Sequence, residues 1–384
     1  MLLQRIASAE AEPADFPAAV PAPRGMAGHW DDLAANASEP NVFAERWFVA
    51  PSLRHMLPPG RTRMIAVWAD GGHRLVGLLP LRIDDRYGRT RVRHVQNWVH
   101  DQSFLGTPLV RRGREREFWG EILATLDAAD WAPGFFHLTG IVEGGPVHRG
   151  LAEAAAALGR PCAVVHRIRR AMLEAGLTPD AYKEAALRKK KRKELGRLWS
   201  RLAEQGEVRF ETLERAQDAP RWCEDFLALE AAGWKGKDGS AMAKDPATAA
   251  FFREMFAGAF SAGKLETLRL AVDGRPIAML VNLHAPPGGF SYKIAFDEDY
   301  ARYSPGVLIE LENLRLLGRP GFAWMDSCAV EDHPMIDSLW RGRRPIVRLS
   351  VPLSGARRAA IFRACRFLEL GSALVRRLRN GRND

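Results

Sequence analysis

Two stretches of the chain share one order of predicted elements, and this repetition constrains the fold more than any other sequence feature. In each, an apolar strand leads to an Asp-Gly turn, a longer apolar strand, a further strand, a polar loop and a helix. Residues 67–83 match residues 270–283 in this order. An Asp-Gly pair between apolar runs is typical of a β-hairpin. The pattern predicts two copies of one α+β domain; the alternative is two unrelated meanders, which are common.

The predicted boundaries divide the 384 residues into four parts. Residues 1–27 are rich in Ala, Pro and Glu, a composition typical of a disordered segment. We expect an N-terminal domain at residues 28–175 and a C-terminal domain at residues 176–352, in line with roughly 150 residues per domain. Residues 353–384 form a basic amphipathic tail.

The net positive charge is concentrated at the C-terminal end. The sequence holds 56 Lys and Arg against 46 Asp and Glu, a formal net charge of +10. Residues 341–384 contain twelve arginines and two acids, an excess that equals the whole net charge. Because apolar residues are interspersed among these arginines, the tail is typical of a helix lying on an anionic bilayer. The alternative is a C-terminal helix packed on the second domain.

Motifs that define several other protein classes are missing from the sequence. The four cysteines form no CxxC pair, so the sequence predicts neither a metal site nor a disulfide framework. Without a Walker A loop, GxGxxG, HExxH or GxSxG, kinases, dehydrogenases, zinc proteases and α/β-hydrolases have no support. Neither a signal peptide nor an apolar stretch of spanning length is evident, and unpaired cysteines favour the reducing cytoplasm.

Ser304, Pro305 and Gly306 stand between a predicted strand and a predicted helix. Pro at a helix start leaves backbone N–H groups facing outward, and that end of the helix carries partial positive charge. Such a helix start binds anions, and a pyrophosphate would suit it. The alternative is an ordinary capped helix start without a ligand.

A cluster of titratable residues follows the strand predicted at residues 322–328. Asp326 ends this strand, and a polar turn then holds Glu331 and His333. His333 is the best general base by chemistry, because the ordinary pKa of histidine lies near neutral pH. Asp326 or Glu331 would orient it or act in its place. The alternative is a capping turn before a short helix.

Two further segments are rich in lysine. Residues 230–239 end a helix and contain Trp234 and Lys235 in a glycine-rich loop, which either folds over a ligand or simply connects two elements. Residues 188–193 are six consecutive cations inside a helix expected to run from residue 178 to residue 205. Such a run is typical of a solvated helix surface, and nucleic-acid-binding surfaces look similar.

The order of these residues resembles the acetyltransferase-like members of the GNAT superfamily. These include proteins associated with cellulose biosynthesis, and they are related to the Fem aminoacyl transferases of peptidoglycan bridges. The resemblance is best over residues 181–351 and implies two tandem GNAT-like domains, each a mostly antiparallel sheet flanked by helices. The residues that carry the resemblance are Glu230, Trp234, Lys235, Gly236, Gly239, Lys293, Phe296, Asp297, Tyr300, Ser304, Pro305, Gly306, Asp326, Glu331, Asp332, His333 and Trp340.

The resemblance implies an acyl-CoA donor held between two strands that splay apart, at residues 289–296 and 322–328. The family's pyrophosphate loop has two glycines, whereas this sequence keeps one. An amine attacks the thioester after losing a proton to a base, and the leaving thiolate takes a proton from Tyr300 or Tyr303. The expected catalytic residues are Asp326, Glu331, His333 and Tyr303; those for the donor are Lys293, Arg302, Ser304, Pro305 and Gly306; those for the acceptor are Trp234, Lys235 and Trp340.

Three functions are compatible with this resemblance. The segment from Asp326 to Trp340 resembles the bacterial ceramide synthases, which implies N-acylation of a sphingoid-type lipid amine. The second is acyl or aminoacyl transfer to a polysaccharide or peptidoglycan precursor, and the third is a non-catalytic adaptor for nucleic acid or a membrane. The expected partners are acyl-CoA, a lipid amine or cell-envelope precursor, and an anionic membrane surface rather than nucleic acid. The expected location is the cytoplasm, at the inner face of the cytoplasmic membrane.

Overall fold

The computed structural model describes the backbone of residues 26–57 and 62–380 and the side chains up to residue 371. Most of the predicted disordered segment therefore lies outside the described residues, and Met26 already begins a helix. The described helices are α1 (Met26–Ala35), α2 (Arg46–His55), α3 (Glu115–Ala128), α4 (Pro146–Ala157), α5 (Pro179–Ala186), α6 (Lys189–Ala203), α7 (Ala219–Ala232), α8 (Trp234–Asp238), α9 (Pro246–Ser261), α10 (Pro305–Asn313), α11 (Pro334–Asp337) and α12 (Ala356–Asn380).

The strands pair mostly in antiparallel fashion, and their order is described below for each unit. They are β1 (Thr62–Ala69), β2 (Arg74–Asp84), β3 (His94–Asn97), β4 (Leu109–Val110), β5 (Phe135–Val142), β6 (Ala163–Glu174), β7 (Val208–Thr212), β8 (Leu265–Val272), β9 (Arg275–Ala285), β10 (Gly288–Phe296), β11 (Trp324–Asp326) and β12 (Gly342–Pro352).

Unit 1 comprises Met1–Glu45, Pro58–Ile168 and Pro345–Asp384. Its strand order is β1-β2-β3-β5-β12, with β4 beside β2. The pair β3–β5 is parallel, and the other named pairs are antiparallel. Helices α3 and α4 bury their apolar side chains against this sheet, with Trp119 fully enclosed.

Unit 2 comprises Arg46–Leu57 and Arg169–Arg344. Its strand order is β6-β11-β10-β9-β8-β7. Here β10–β11 is the parallel pair, and the others are antiparallel. Helices α7, α9 and α10 contact this sheet, and Phe226 of α7 stacks on Phe252 of α9 at 5.4 Å between ring centroids. The predicted α+β class, with helices flanking mostly antiparallel sheets, is confirmed.

The hairpins β1–β2 and β8–β9 share their turn geometry, as the repetition in the sequence predicts. Asp70 and Asp273, the first residues of the two turns, both have positive φ angles, as do the glycines that follow them. Each hairpin carries a bulge shortly before its turn, between Val67 and Trp68 and between Leu270 and Ala271. Each unit then places one parallel strand pair after the hairpin. The two units therefore share the positions of their hairpin turns and bulges as well as the order of their strands.

The two units differ from the predicted domains in two places. Helix α2 falls in unit 2 because it packs on α9, where Phe48 meets Phe251 at 5.3 Å between ring centroids. Most of β12 falls in unit 1, since it pairs with β5. The chain thus passes from unit 1 to unit 2 within β6 and returns within β12. The predicted domain boundaries themselves stay a prediction.

The single helix predicted for residues 178–205 is wrong. Leu187 and Arg188 have extended backbone angles, so α5 ends and α6 begins between them. Leu187 is buried in the core of unit 2, and Arg192 donates hydrogen bonds to the Glu184 and Leu187 carbonyls that α5 leaves open. The helix is interrupted because two contributions favour the break: the burial of Leu187 and the hydrogen bonds to the end of α5. Together they outweigh the stability of a continuous helix through six adjacent cations.

The basic tail is the helix α12. Its first half packs within unit 1: Phe362 and Cys365 are buried against Phe135, and Arg358 donates to two backbone carbonyls. Phe367 is 79% exposed, close to the exposed Leu368 and Leu370. Among the described helices, none has the length and hydropathy needed to cross a bilayer. The tail's contact with a membrane surface stays a prediction.

Candidate active site

The parallel strands β10 and β11 stay together for only three residue pairs, from Gly288 opposite Trp324 to Phe290 opposite Asp326. A side chain at position 288 would collide with the Trp324 ring, its Cβ lying 2.2 Å from that ring, so glycine is required there. Beyond Asp326, β11 ends, whereas β10 continues to Phe296. This leaves one edge of β10 uncovered by a neighbouring strand.

A cavity of about 440 Å³ lies beside this uncovered part of β10. That volume falls in the range of small-molecule sites. Its lining is mostly apolar and comes from the end of β10, the start of α10, the junction of α7 with α8, and the turn before α11. The lining residues are Leu229, Glu230, Gly233, Trp234, Lys235, Ile294, Ala295, Phe296, Ala301, Ser304, Pro305, Gly306, Val307, His333 and Met335.

The start of α10 offers the cavity one backbone donor. Pro305 has no N–H, and the Val307 and Leu308 N–H groups both donate to the Ser304 carbonyl. Only the Gly306 N–H has no backbone acceptor in the described part of the chain. Ser304 has a left-handed backbone, and its side chain makes no capping hydrogen bond. The helix start can therefore donate one backbone hydrogen bond to one ligand oxygen atom. The diphosphate site that the sequence predicts would need several such N–H donors.

Glu230 places a buried carboxylate at the cavity. One of its oxygens lies 2.8 Å from the Lys235 ammonium, and the other accepts the Met242 N–H at 2.8 Å. The side chain of Glu230 is 2% exposed and that of Lys235 is 26% exposed. A buried carboxylate with two donors beside an apolar cavity is a candidate partner for a cationic substrate group.

His333 lies at the cavity as the N-cap of α11. Its Nδ1 accepts the Ile336 N–H at 3.4 Å. A backbone N–H only donates, so Nδ1 must be the acceptor, and the proton of the neutral imidazole then resides on Nε2. The second nitrogen is therefore a donor. This geometry favours hydrogen-bond donation by Nε2, and the role of His333 as a general base stays a prediction.

Asp326 is held away from the cavity by two arginines. Its oxygens lie 3.3 Å from Arg170 Nη1 and 3.1 Å from Arg344 Nη1, and one also accepts the Cys328 N–H at 2.9 Å. The side chain is fully buried, and the Arg344 guanidinium stacks on Trp324 at 4.3 Å. These contacts hold the end of β11 in place, and the role of Asp326 as a base stays a prediction.

Other predicted residues also lie apart from the cavity lining. Trp340 is fully buried in the core of unit 2, so it cannot contact an acceptor. Tyr303 is buried beneath the Arg302 guanidinium, 4.8 Å from its ring centroid. Lys293 Nζ lies 5.7 Å from the Tyr292 ring centroid, and Glu331 accepts the Arg169 N–H at 2.8 Å. The structure brings together Trp234, Lys235, Ser304, Pro305, Gly306 and His333 of the predicted site.

A buried polar network lies behind the cavity, between β10 and α10. Ser291 and Asn313 each donate to one oxygen of Glu310 at 3.3 Å, and Asn282 donates to Asn313 at 2.8 Å. Burial raises the pKa of Glu310 to about 7, against the lowering effect of its two hydrogen bonds. This carboxyl is therefore close to half-protonated at neutral pH.

The sequence did not single out Glu230 as a site residue, although a signal was present. The buried face of α7 carries Trp222, Cys223, Phe226 and Leu227, and Glu230 follows on the same face at helical spacing. A lone acid on an apolar helix face indicates a buried charge with a specific partner. Among the described residues, no group of three or more His, Cys, Asp or Glu is arranged to hold a metal ion.

The family comparison agrees with this geometry. Residues 189–333 match the family described as acetyltransferase (GNAT) domain. This stretch contains β10, the start of α10 and most of the residues that line the cavity. Residues 189–333 are a GNAT-like acetyltransferase domain. The protein is an N-acyltransferase, and an acyl donor and an amine acceptor are its two kinds of substrate.

Solved structures share the fold of this acyltransferase. The crystal structure of FemX is similar with a TM-score of 0.57 at 9% identity, covering 91% of this chain and 97% of that chain. The C-terminal domain of a putative lysylphosphatidylglycerol synthetase from Agrobacterium fabrum gives 0.52 at 14% identity, covering 89% and 96%. A conserved protein of unknown function from Bacteroides thetaiotaomicron gives 0.52 at 11%, covering 85% and 97%. No curated protein matches this sequence significantly. At these identities the likeness concerns the fold alone.

Proposed function

We propose that this protein transfers an acyl group from acyl-CoA to the primary amine of a long-chain lipid of the sphingoid type. The observation that carries the proposal is the cavity beside the uncovered edge of β10. It combines a mostly apolar lining with one buried acid, Glu230, and one imidazole donor, His333. A long-chain amine fits such a lining because its chain is apolar and its head group is cationic.

In the proposed reaction the ammonium of the acceptor approaches Glu230 and competes with Lys235 for it. Glu230 takes one proton, and the free amine nitrogen attacks the thioester carbonyl carbon. The Gly306 N–H or the His333 Nε2–H donates to the carbonyl oxygen, on which negative charge develops. The carbon–sulfur bond then breaks, and the leaving thiolate takes the second proton, which the attacking nitrogen gives up as the amide forms. Amide and thiol are the products, and no covalent intermediate on the enzyme is needed.

The decisive experiment measures thiol release from long-chain acyl-CoA in the presence of a sphingoid base. Glu230→Gln keeps the size of the side chain but removes its charge, and we expect at least a hundredfold loss of kcat/KM. Glu298→Gln is the matched control, because Glu298 also pairs with a lysine, Lys237, outside this cavity. Activity of Glu230→Gln equal to that of the control would remove Glu230 from the mechanism.

A second candidate is aminoacyl transfer to a cell-envelope precursor, such as a peptidoglycan or polysaccharide amine or a lipid. It is favoured by the single free N–H at the start of α10, because an aminoacyl ester donor needs no diphosphate cradle. The similar structure named as a lysylphosphatidylglycerol synthetase points the same way. No thiol release with any acceptor, together with consumption of an aminoacyl ester donor, would favour this second function over the first.

A further inference from the structure

Helix α6 carries a stripe of cations on one face. Lys189, Lys193, Arg197 and Arg201 recur every four residues, so they lie in one row with a spacing of about 6 Å along the helix. All four are exposed, and none lies within ion-pair distance of an acid in the described part of the chain. We call this row the cation stripe. A row of unpaired like charges is unfavourable for the helix unless an anionic surface neutralises it.

The position of the stripe adds to that electrostatic cost. Arg188 is the N-cap of α6, three lysines occupy its first turn, and that turn holds no acid. The N-terminus of a helix carries partial positive charge, so cations there destabilise the helix and attract anions more strongly. Acidic residues are usual in the first turn of a helix, whereas α6 has lysines there, where the stripe begins. Such local exceptions are expected at functional surfaces.

An apolar groove of about 280 Å³ lies beside α6. Trp199 and Phe210 stack in its wall at 5.3 Å between ring centroids, and Lys183 and Arg192 also line it. We call it the α6 groove. Its remaining lining consists of four leucines, one glycine and one acid from α6, α10 and the connection between α5 and α6: Leu187, Leu195, Gly196, Leu308, Leu311 and Glu312.

Gly196 keeps this groove open. It lies in the middle of α6, where glycine is less favourable than alanine. A Cβ added at this position would meet nothing within 4 Å, so close packing does not require the glycine. The missing side chain leaves space in the groove instead. The glycine at this position lowers the stability of the helix and no close contact requires it. We therefore take the space beside Gly196 as room for a ligand.

We propose that α6 is a docking surface for a bilayer of acidic phospholipids, with lipid phosphates along the cation stripe and one acyl chain in the α6 groove. Because the stripe is positively charged, its partner is expected to be anionic. The apolar groove and Trp199 favour a lipid over a nucleic acid, because an indole at a membrane interface has both an apolar and a polar side. This surface is separate from the cavity beside β10 and does not rest on the proposed reaction.

The test is the binding of the full chain to vesicles without donor or acceptor, so that transfer activity does not enter the result. The probes are phosphatidylcholine vesicles with and without about 30 mol% phosphatidylglycerol. In the stripe variant Lys189, Lys193, Arg197 and Arg201 are all replaced by Glu. In the control, four exposed arginines of unit 1 are replaced by Glu, which changes the net charge equally: Arg89, Arg91, Arg112 and Arg116.

We expect the stripe variant to lose on the order of a hundredfold in partition onto acidic vesicles, and the control less than about threefold. Both variants keep α12, so their difference reports α6 alone. Equal losses in the two variants overturn the proposal. Binding of a single-stranded RNA that depends on the stripe, without any effect of the stripe on vesicles, overturns it as well and assigns α6 to nucleic acid.

A second pair of variants tests the groove. Gly196→Leu fills the space with a good helix former, and Gly196→Ala is the control with a side chain too short to fill it. We expect both to melt at or above the temperature of the unaltered protein. Partition onto acidic vesicles should fall about tenfold for the leucine variant only. If the two variants bind equally, no acyl chain enters the groove and the proposal fails in that part.

Discussion

Replacing Glu310 by glutamine should make the protein more stable at alkaline pH and flatten part of its pH dependence. Glu310 is fully buried between β10 and α10, and its pKa is raised from 4.5 to about 7. A raised pKa means that the folded state binds the proton more tightly than the unfolded state does. The carboxyl therefore contributes full stability below about pH 4.5 and loses it as the pH rises through 7.

The magnitude follows from the shift of the pKa. Each tenfold change in proton affinity is worth about 1.4 kcal/mol, so the ionised Glu310 costs the folded state about 3 kcal/mol above pH 7. Most of this loss, about 2 kcal/mol, falls between pH 5 and pH 8. Glutamine stays neutral and keeps both hydrogen bonds, since its oxygen accepts from Asn313 and its amide donates to the Ser291 hydroxyl.

The assay is urea unfolding of both proteins at intervals from pH 5 to pH 8. We expect the free energy of unfolding of Glu310→Gln to exceed that of the unaltered protein by a margin that grows by about 2 kcal/mol over this range. Glu312→Gln is the matched control on the same helix, because Glu312 is partly exposed. A constant margin for Glu310→Gln, parallel to that of the control, would refute the assignment of a buried, tightly protonated carboxyl.

Three further predictions concern the end of β11 and the cavity. Asp326→Asn removes the buried carboxylate that pairs with Arg170 and Arg344, and should cost about 3–5 kcal/mol in urea unfolding, whereas Asp332→Asn, on the surface, should cost little. His333→Asn and His333→Ala should both lower kcat more than tenfold. Only the alanine variant should have a lower melting temperature, because asparagine also caps helices. Near-normal turnover of either variant would exclude a role of the imidazole in catalysis. Gly306→Ala places a methyl group 3.4 Å from Met335 Sδ in the cavity, and should raise KM for the donor severalfold without loss of stability; an unchanged KM would show that the donor lies elsewhere.

The parts of the fold that local chemistry determines could be predicted from the sequence. Asp-Gly turns identified both hairpins. A capping residue followed by proline predicts a helix start at Thr178 and at Asp245, and both side chains accept an N–H group of the first turn, at 3.2 Å and 2.9 Å. The helix that opens at Pro305 was found for the same reason. Each of these signals lies within a few residues of the element that it specifies.

Features that depend on contacts between residues far apart in the sequence could not be predicted from the sequence. Strand β6 contains Arg167, Arg169 and Arg170, a composition that does not indicate a strand, and its last three residues pair with β11, which is distant in the sequence. The ion pair of Arg170 with Asp326 joins residues far apart in the chain, so Asp326 looked like a free base. The tautomer of His333 likewise follows from its bond to Ile336, which only the three-dimensional structure reveals.

The return of the chain through β12 has a consequence for synthesis in the cell. Unit 1 is built mainly from the first half of the sequence, but β5 receives its partner β12 only after residues 342–352 have been translated. Until then the edge of β5 has unpaired backbone groups and can associate with other nascent chains. The sheet of unit 1 therefore cannot be completed until the residues of unit 2 have been translated, although most of unit 1 precedes them in the sequence.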